Sequence, residues 1–223
     1  MHLPRAAKAA SVLVCAAWLA GCSSSSPEIV STTPAGSTQP QGSQYIPPAI
    51  VSGAADSVAP QPGSPGALYV YRFKQVQPSS DRFIFQDREL SFYFRPTPAA
   101  LFMQVENRQD RPCWIDWERS SFDAPLGNNT KIAHGTTKWA DRFRPQNQTQ
   151  IPGLQRYSDY LFPIDYLVDP GSSDDQLHRP LLPEDHAAPQ YQSRQFGVNL
   201  TFIIEGQPRG YSFTYEIVSV LPK

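Results

Sequence analysis

From Phe196 the chain alternates with a period of two: Phe196, Val198, Leu200, Phe202 and Ile204 share one phase, while Gly197, Asn199, Thr201, Ile203 and Glu205 share the other. Successive side chains of a strand point to opposite faces, so this pattern predicts a strand with one buried face. Tyr211, Phe213, Tyr215 and Ile217 repeat the pattern after Gly206-Gln207-Pro208-Arg209-Gly210. A five-residue connection with two glycines and a proline predicts a hairpin that closes the domain. Earlier strands are expected over Leu68–Val76, Leu90–Arg95, Leu101–Glu106, Cys113–Glu118, Thr130–Ala133 and Gln155–Phe162. Turn chemistry separates them, as in Arg95-Pro96-Thr97-Pro98 and in Asn107–Pro112. Short punctuated strands without a helical period imply an all-β domain over residues 68–223, an antiparallel β-sandwich that is Ig-like in the loose sense, with a β-barrel as the alternative. Two connections, residues 135–150 and 169–195, exceed the ~15 residues usual for a structureless loop, so each is a candidate functional surface. The second carries Pro170, Pro180, Pro183 and Pro189, with acids at Asp174, Asp175, Glu184 and Asp185, and is expected to hold a partner site.

The N-terminus follows a different logic. Arg5 and Lys8 precede an apolar run from Ala9 to Ala20 that is too short to span a bilayer, the layout of a signal peptide over residues 1–21. The run ends in Leu19-Ala20-Gly21-Cys22, which resembles the lipobox of bacterial lipoproteins at all four positions. That resemblance implies cleavage before Cys22 and acylation of its thiol. Two or three acyl chains anchor stably where one is marginal. Ser23 follows where inner-membrane lipoproteins often carry Asp, which favours the outer membrane. Residues 23–67 hold eight prolines and only two charges, Glu28 and Asp56, and bury too little apolar surface to offset the entropy of ordering. They are read as a disordered tether spanning on the order of 35 to 40 Å. Its apolar knot, Tyr45-Ile46-Pro47-Pro48-Ala49-Ile50-Val51, could dock on a partner or on the domain.

Charge and cysteine content narrow the functional classes. Of the 19 basic residues two fall in the signal segment, leaving 17 against 20 acids and a net charge of −3 after Cys22. Nucleic-acid binding requires a basic field, which this chain lacks. Beyond the signal segment only Cys22 and Cys113 are present, and with Cys22 acylated no intrachain disulfide can form. Cys113 is expected to be a small buried apolar residue.

Trp114-Ile115-Asp116-Trp117 is the most distinctive tetrapeptide. On a strand Trp117 would share the core face with Cys113 and Ile115, and Trp114 and Asp116 the other. Trp114 with Asp116, joined by Trp139, could form a stacking platform for a sugar with an acceptor carboxylate. Packing of Trp114 beneath the 135–150 loop is the competing expectation. His134, His178 and His186 match no zinc spacing, and Asp174-Asp175 lacks the ligand periodicity of a calcium loop, so no metal or cofactor is expected. A Cys113–His134 dyad lacks a local nucleophile signature, and no phosphate loop or nucleophile elbow occurs.

The blocks Ile115–Phe122, Gly127 and Ile132-Ala133-His134-Gly135, followed by Thr149–Gly153 and Pro163-Ile164-Asp165, resemble a pattern in uncharacterised bacterial lipoproteins. The resemblance covers about 50 residues and departs before Gly153, where a second Pro would be expected. It implies a sandwich with Trp117 in its core, Ser120-Ser121 bonding a turn and a structural His134, and it carries no activity. The expected function is a lipid-anchored envelope module that binds another envelope protein. A glycan or peptidoglycan binder is the alternative, and a hydrolase built around His134 or the acidic loop the third reading.

Overall fold

The computed structural model describes residues 63–223. Cys22, the signal segment and residues 23–62 of the expected tether lie outside the described residues. The strands are β1 (Tyr69–Gln77), β2 (Ser79–Ser80), β3 (Ile84–Gln86), β4 (Leu90–Pro96), β5 (Leu101–Asn107), β6 (Cys113–Asp123), β7 (Asn129–Ala133), β8 (Thr149–Ile151), β9 (Arg156–Pro163), β10 (Leu167–Val168), β11 (Leu177–His178), β12 (Gln195–Ile204) and β13 (Gln207–Pro222). Eleven of them form one antiparallel sheet in the order β2-β1-β13-β12-β6-β7-β9-β5-β4-β3, with β8 paired to β6. The path ends at β2 and β3 without closing, so the barrel alternative is corrected to a sandwich.

The sheet folds over itself where β7 meets β9, through the pairs Ile132–Pro163 and Ala133–Phe162. This brings the β4 face onto β12 and β13. Phe92 and Phe94 sit 5.0 and 4.5 Å from Phe213, and Phe92 sits 5.5 Å from Phe202. Each ring lies on the apolar phase of its strand, and alternation drives all of them into one core. Ala100, Ala133, Phe162, Ile164 and Leu167 form a second, smaller core.

Three details differ from the sequence expectation. The last hairpin turns in two residues rather than five, Glu205 at φ 50° and Gly206 at φ 75°, and the remaining connection residues extend β13. A two-residue turn with both residues left-handed matches the twist of the flanking strands, which outweighs the break that Pro208 suggests. Strand β6 continues to Asp123 because the four residues Trp117–Ser120 bulge out opposite Leu200 alone, so that Asp116 pairs with Thr201 and Ser121 with Asn199. Ser120 Oγ spans this bulge, donating to the Asp116 carbonyl at 2.7 Å and accepting from the Thr201 N–H at 3.0 Å. Finally, the two long connections hold short structure: a 3-10 turn at Trp139–Asp141 and β8 in one, and β11 with a 3-10 turn at Ala188–Tyr191 in the other.

Candidate functional site

The loop between β7 and β8 is fixed at its base by buried polar groups. Asp159 on β9 lies in phase with Leu161, so its carboxylate points inward, where it is 9% exposed. There it accepts from the N–H groups of Gly135 and Tyr160, each at 2.8 Å, and from the Tyr157 hydroxyl, and it faces His134 Nδ1 at 3.4 Å. Burial opposes ionisation of Asp159, yet the hydrogen bonds from His134 and Tyr157, the His134 charge and the Gly135 N–H together hold its pKa below the ordinary carboxylate value. His134 is itself buried, its ring stacked on Trp117 with centroids 4.2 Å apart. The Trp117 indole N–H donates to Thr149 Oγ1 at 2.8 Å at the other end of the loop.

Gln146 closes the same base. Its side-chain amide donates to the Ile132 carbonyl at 2.8 Å, and its backbone N–H donates to Glu118 Oε1 at 2.8 Å. Gln176, from beside β11, donates to the carbonyls of His134 and Thr137 at 2.7 and 2.6 Å. These contacts reach from four separate parts of the chain, so the loop is held as a rigid projection.

Its tip is built differently. Trp139 packs against the smaller core, and Arg142 lays its guanidinium 3.5 Å from the Trp139 ring centroid and 4.3 Å from that of Phe143. Arg142 Nη1 also donates to the Trp139 carbonyl at 2.7 Å, which fixes the stack. Phe143 is 83% exposed. A large ring held out to water by a stacked arginine on a rigid base is a binding feature in form. Beside it Lys138 and Trp139 border an open cavity of about 210 Å³ whose far wall is Asp169–Asp175, and Lys138 spans to Asp174 at 2.7 Å.

The residues singled out in the sequence separate. Trp114 is half-buried on the outward face of β6, with Gln150 and Ile203 as its strand neighbours. Asp116 shares that face, but its carboxylate is buried and engaged, accepting from the Arg119 N–H and from Gln148 Nε2, each at 3.3 Å. Trp139 belongs to the other cluster, with Arg142 over one ring face. His178 stacks on Phe162 at 4.0 Å, and His186 is exposed. Among the described residues no group of three His, Cys, Asp or Glu side chains is placed to hold a metal. Cys113 is buried, and burial pushes its thiol up to about 11.

Sequence reading missed Asp159, Gln146 and Arg142. An acid in phase with buried Leu161 was the one available signal for Asp159. Comparison with family models, curated proteins and solved structures gives no match to this chain.

Proposed function

We propose that this β-sandwich is a binding module of the bacterial cell envelope, anchored through acylated Cys22 in the outer membrane, and that the loop tip at Trp139, Arg142 and Phe143 contacts another envelope protein. The observation that carries this reading is the exposure of Phe143 on a loop whose base is fixed by Asp159 and Gln146. Rigid display of an aromatic and an arginine lowers the ordering cost of association, and these residue types dominate binding hot spots. A photo-crosslinking residue at position 143, introduced in cells, should capture a specific envelope protein, while the same residue at exposed Lys74 should not. Equal capture from both positions would sink the assignment. Cys22→Ala should move the protein out of the membrane fraction, and full retention there would refute the anchor.

Glycan binding has one observation in its favour: Trp114 is partly exposed beside Ile203 on the outer face of β6. The engaged Asp116 carboxylate weakens it. This reading expects cell-wall fragments to quench Trp fluorescence in the parent and not in Trp114→Ala. Hydrolysis through His134 has less support, because Nδ1 lies 3.3 Å from Thr136 Oγ1 and 3.4 Å from Asp159 in a buried stack.

A further inference from the structure

Arg142 carries a charge that the domain does not answer. Its guanidinium carbon lies 3.5 Å from the Trp139 ring centroid and 4.3 Å from that of Phe143, and Nη1 donates to the Trp139 carbonyl at 2.7 Å. Among the described residues no carboxylate pairs with it. The acid next to it, Asp141, is taken by Arg144 at 2.9 Å, and Asp174, across the neighbouring cavity, by Lys138 at 2.7 Å. Nε and Nη2 of Arg142 donate to no group among the described residues, and neither is a buried unpaired donor, so both open to solvent.

The same contacts fix which part of the guanidinium another molecule can reach. The rings lie over its flat surface, and contact there leaves the N–H groups, which lie in the plane, free to donate. The Nε and Nη2 groups stand side by side as one arm of the fork, on the side away from the Trp139 carbonyl. An arginine whose plane is already held loses little further freedom on pairing. An anion with two oxygens fits this arm, because two parallel N–H···O bonds can form. Phosphate accepts such a fork too, but a phosphate-bearing lipid surface is matched by several free cations together. Here Lys138 and Arg144 each have an acid of their own, so the tip offers one unanswered positive charge, which balances one carboxylate. Beside it Phe143, 83% exposed, supplies an apolar surface.

We infer that Arg142 is a carboxylate-binding residue: its Nε and Nη2 edge takes a side-chain or C-terminal carboxylate of the partner protein, and Phe143 takes an apolar side chain beside that acid. The inference rests on the reading of the loop tip as a protein contact, and it names the chemistry the tip meets. Crosslinking in cells from position 143 separates the two. Capture at the parent level in Arg142→Gln would overturn the carboxylate assignment and leave the envelope contact standing. No capture in the parent would sink the contact, while peptide binding at Arg142 would still support the carboxylate site.

Nuclear magnetic resonance of the full chain, isotope-labelled at arginine and tryptophan nitrogens, tests the site directly. The probes are acetyl-Leu-Glu-Leu amide, acetyl-Leu-Gln-Leu as the free acid, acetyl-Leu-Gln-Leu amide and glycerol phosphate. The Arg142 Nε–H resonance should shift saturably with an acid peptide and stay in place with the uncharged one. A shift with the Glu peptide places the anion on a side chain, and a shift with the free acid alone places it at a chain terminus. No saturable shift with either, or an equal shift with the uncharged peptide, would overturn the inference. A shift as large with glycerol phosphate would overturn it in favour of a lipid headgroup. Followed at the Trp139 indole N–H, Arg142→Lys should weaken peptide binding about tenfold, since it keeps the charge and loses the fork. Asp141→Asn combined with Arg144→Gln removes a neutral pair and should leave binding unchanged. A loss there as large as in Arg142→Lys would reduce the effect to the general field of the tip and overturn the assignment.

Discussion

The Asp159 carboxylate stands 3.4 Å from Nδ1 of His134 and grips the Gly135 N–H at 2.8 Å, so one side chain on β9 fixes the first turn of the loop after β7. Asp159→Ala strands two backbone N–H groups and the Tyr157 hydroxyl in a buried place, and should cost about 2 to 4 kcal/mol. Urea unfolding followed by Trp fluorescence measures it. Gly135→Ala acts on the same contact from the other side, since its Cβ would fall 2.7 Å from Asp159 Oδ1. It should cost about 1 to 3 kcal/mol.

Acid should act through the same carboxylate. Its native pKa lies below the unfolded value of about 3.9, so its contribution is fully present above that value and is lost as pH falls through the native pKa. Stability measured against pH should fall on the acid side in the parent. Asp159→Asn should flatten that limb. A limb of equal steepness in both would remove Asp159 from the account.

Cys113 lies in the core opposite Ile151, and burial raises its thiol pKa to about 11. Thiolate is the reactive form, so alkylation at neutral pH should be negligible in the folded protein and rapid in urea. Mass spectrometry of the Cys113 peptide reads this directly.

Glu205 occupies a left-handed position, φ 50°, where Asn is better accommodated. Glu205→Asn also removes the ion pair with Arg111 at 3.3 Å, but both partners are exposed and such pairs contribute little. The turn effect should win, raising stability by about 0.5 kcal/mol in thermal unfolding. Gly206→Ala should lower it by about 1 kcal/mol.

Phe143→Ser should leave stability within about 0.5 kcal/mol of the parent, since the ring is exposed. Trp139→Ala should cost about 1 to 3 kcal/mol, because that ring supports the smaller core. Thermal unfolding of the pair separates display from support.

Alternation made β4, β5 and β12 legible, because every inward position of Leu90–Pro96 and most of those in the other two are apolar. The bulge at Trp117–Ser120 was not legible. Nothing in Trp-Glu-Arg-Ser marks where a strand leaves its register, and the cause is tertiary: Trp117 must reach His134 and Thr149 while Ser120 returns to Thr201. The loop tip was legible only as a long connection containing Trp139 and Phe143. Its order depends on Asp159 and Gln176, which lie 24 and 42 residues from the backbone groups they hold near Gly135 and His134. The outward rings of Tyr93, Phe102 and Tyr160, with Phe102 6.4 and 5.3 Å from the other two, hid for a related reason: they sit on separate strands, and only the β4-β5-β9 register aligns them.

The N–H of Lys223 donates to the Leu68 carbonyl at 2.9 Å, placing the start of β1 and the end of β13 at one pole, with the Glu205–Gly206 turn at the other. Force applied between the N-terminal segment and something held at the far pole would run along β1. Its hydrogen bonds to β13 lie across that direction and would bear the load together, in shear, instead of parting one after another. Pulled in that direction the domain should resist, whereas pulled apart at Leu68 and Lys223 it should unzip at much lower force, a contrast that single-molecule extension would measure.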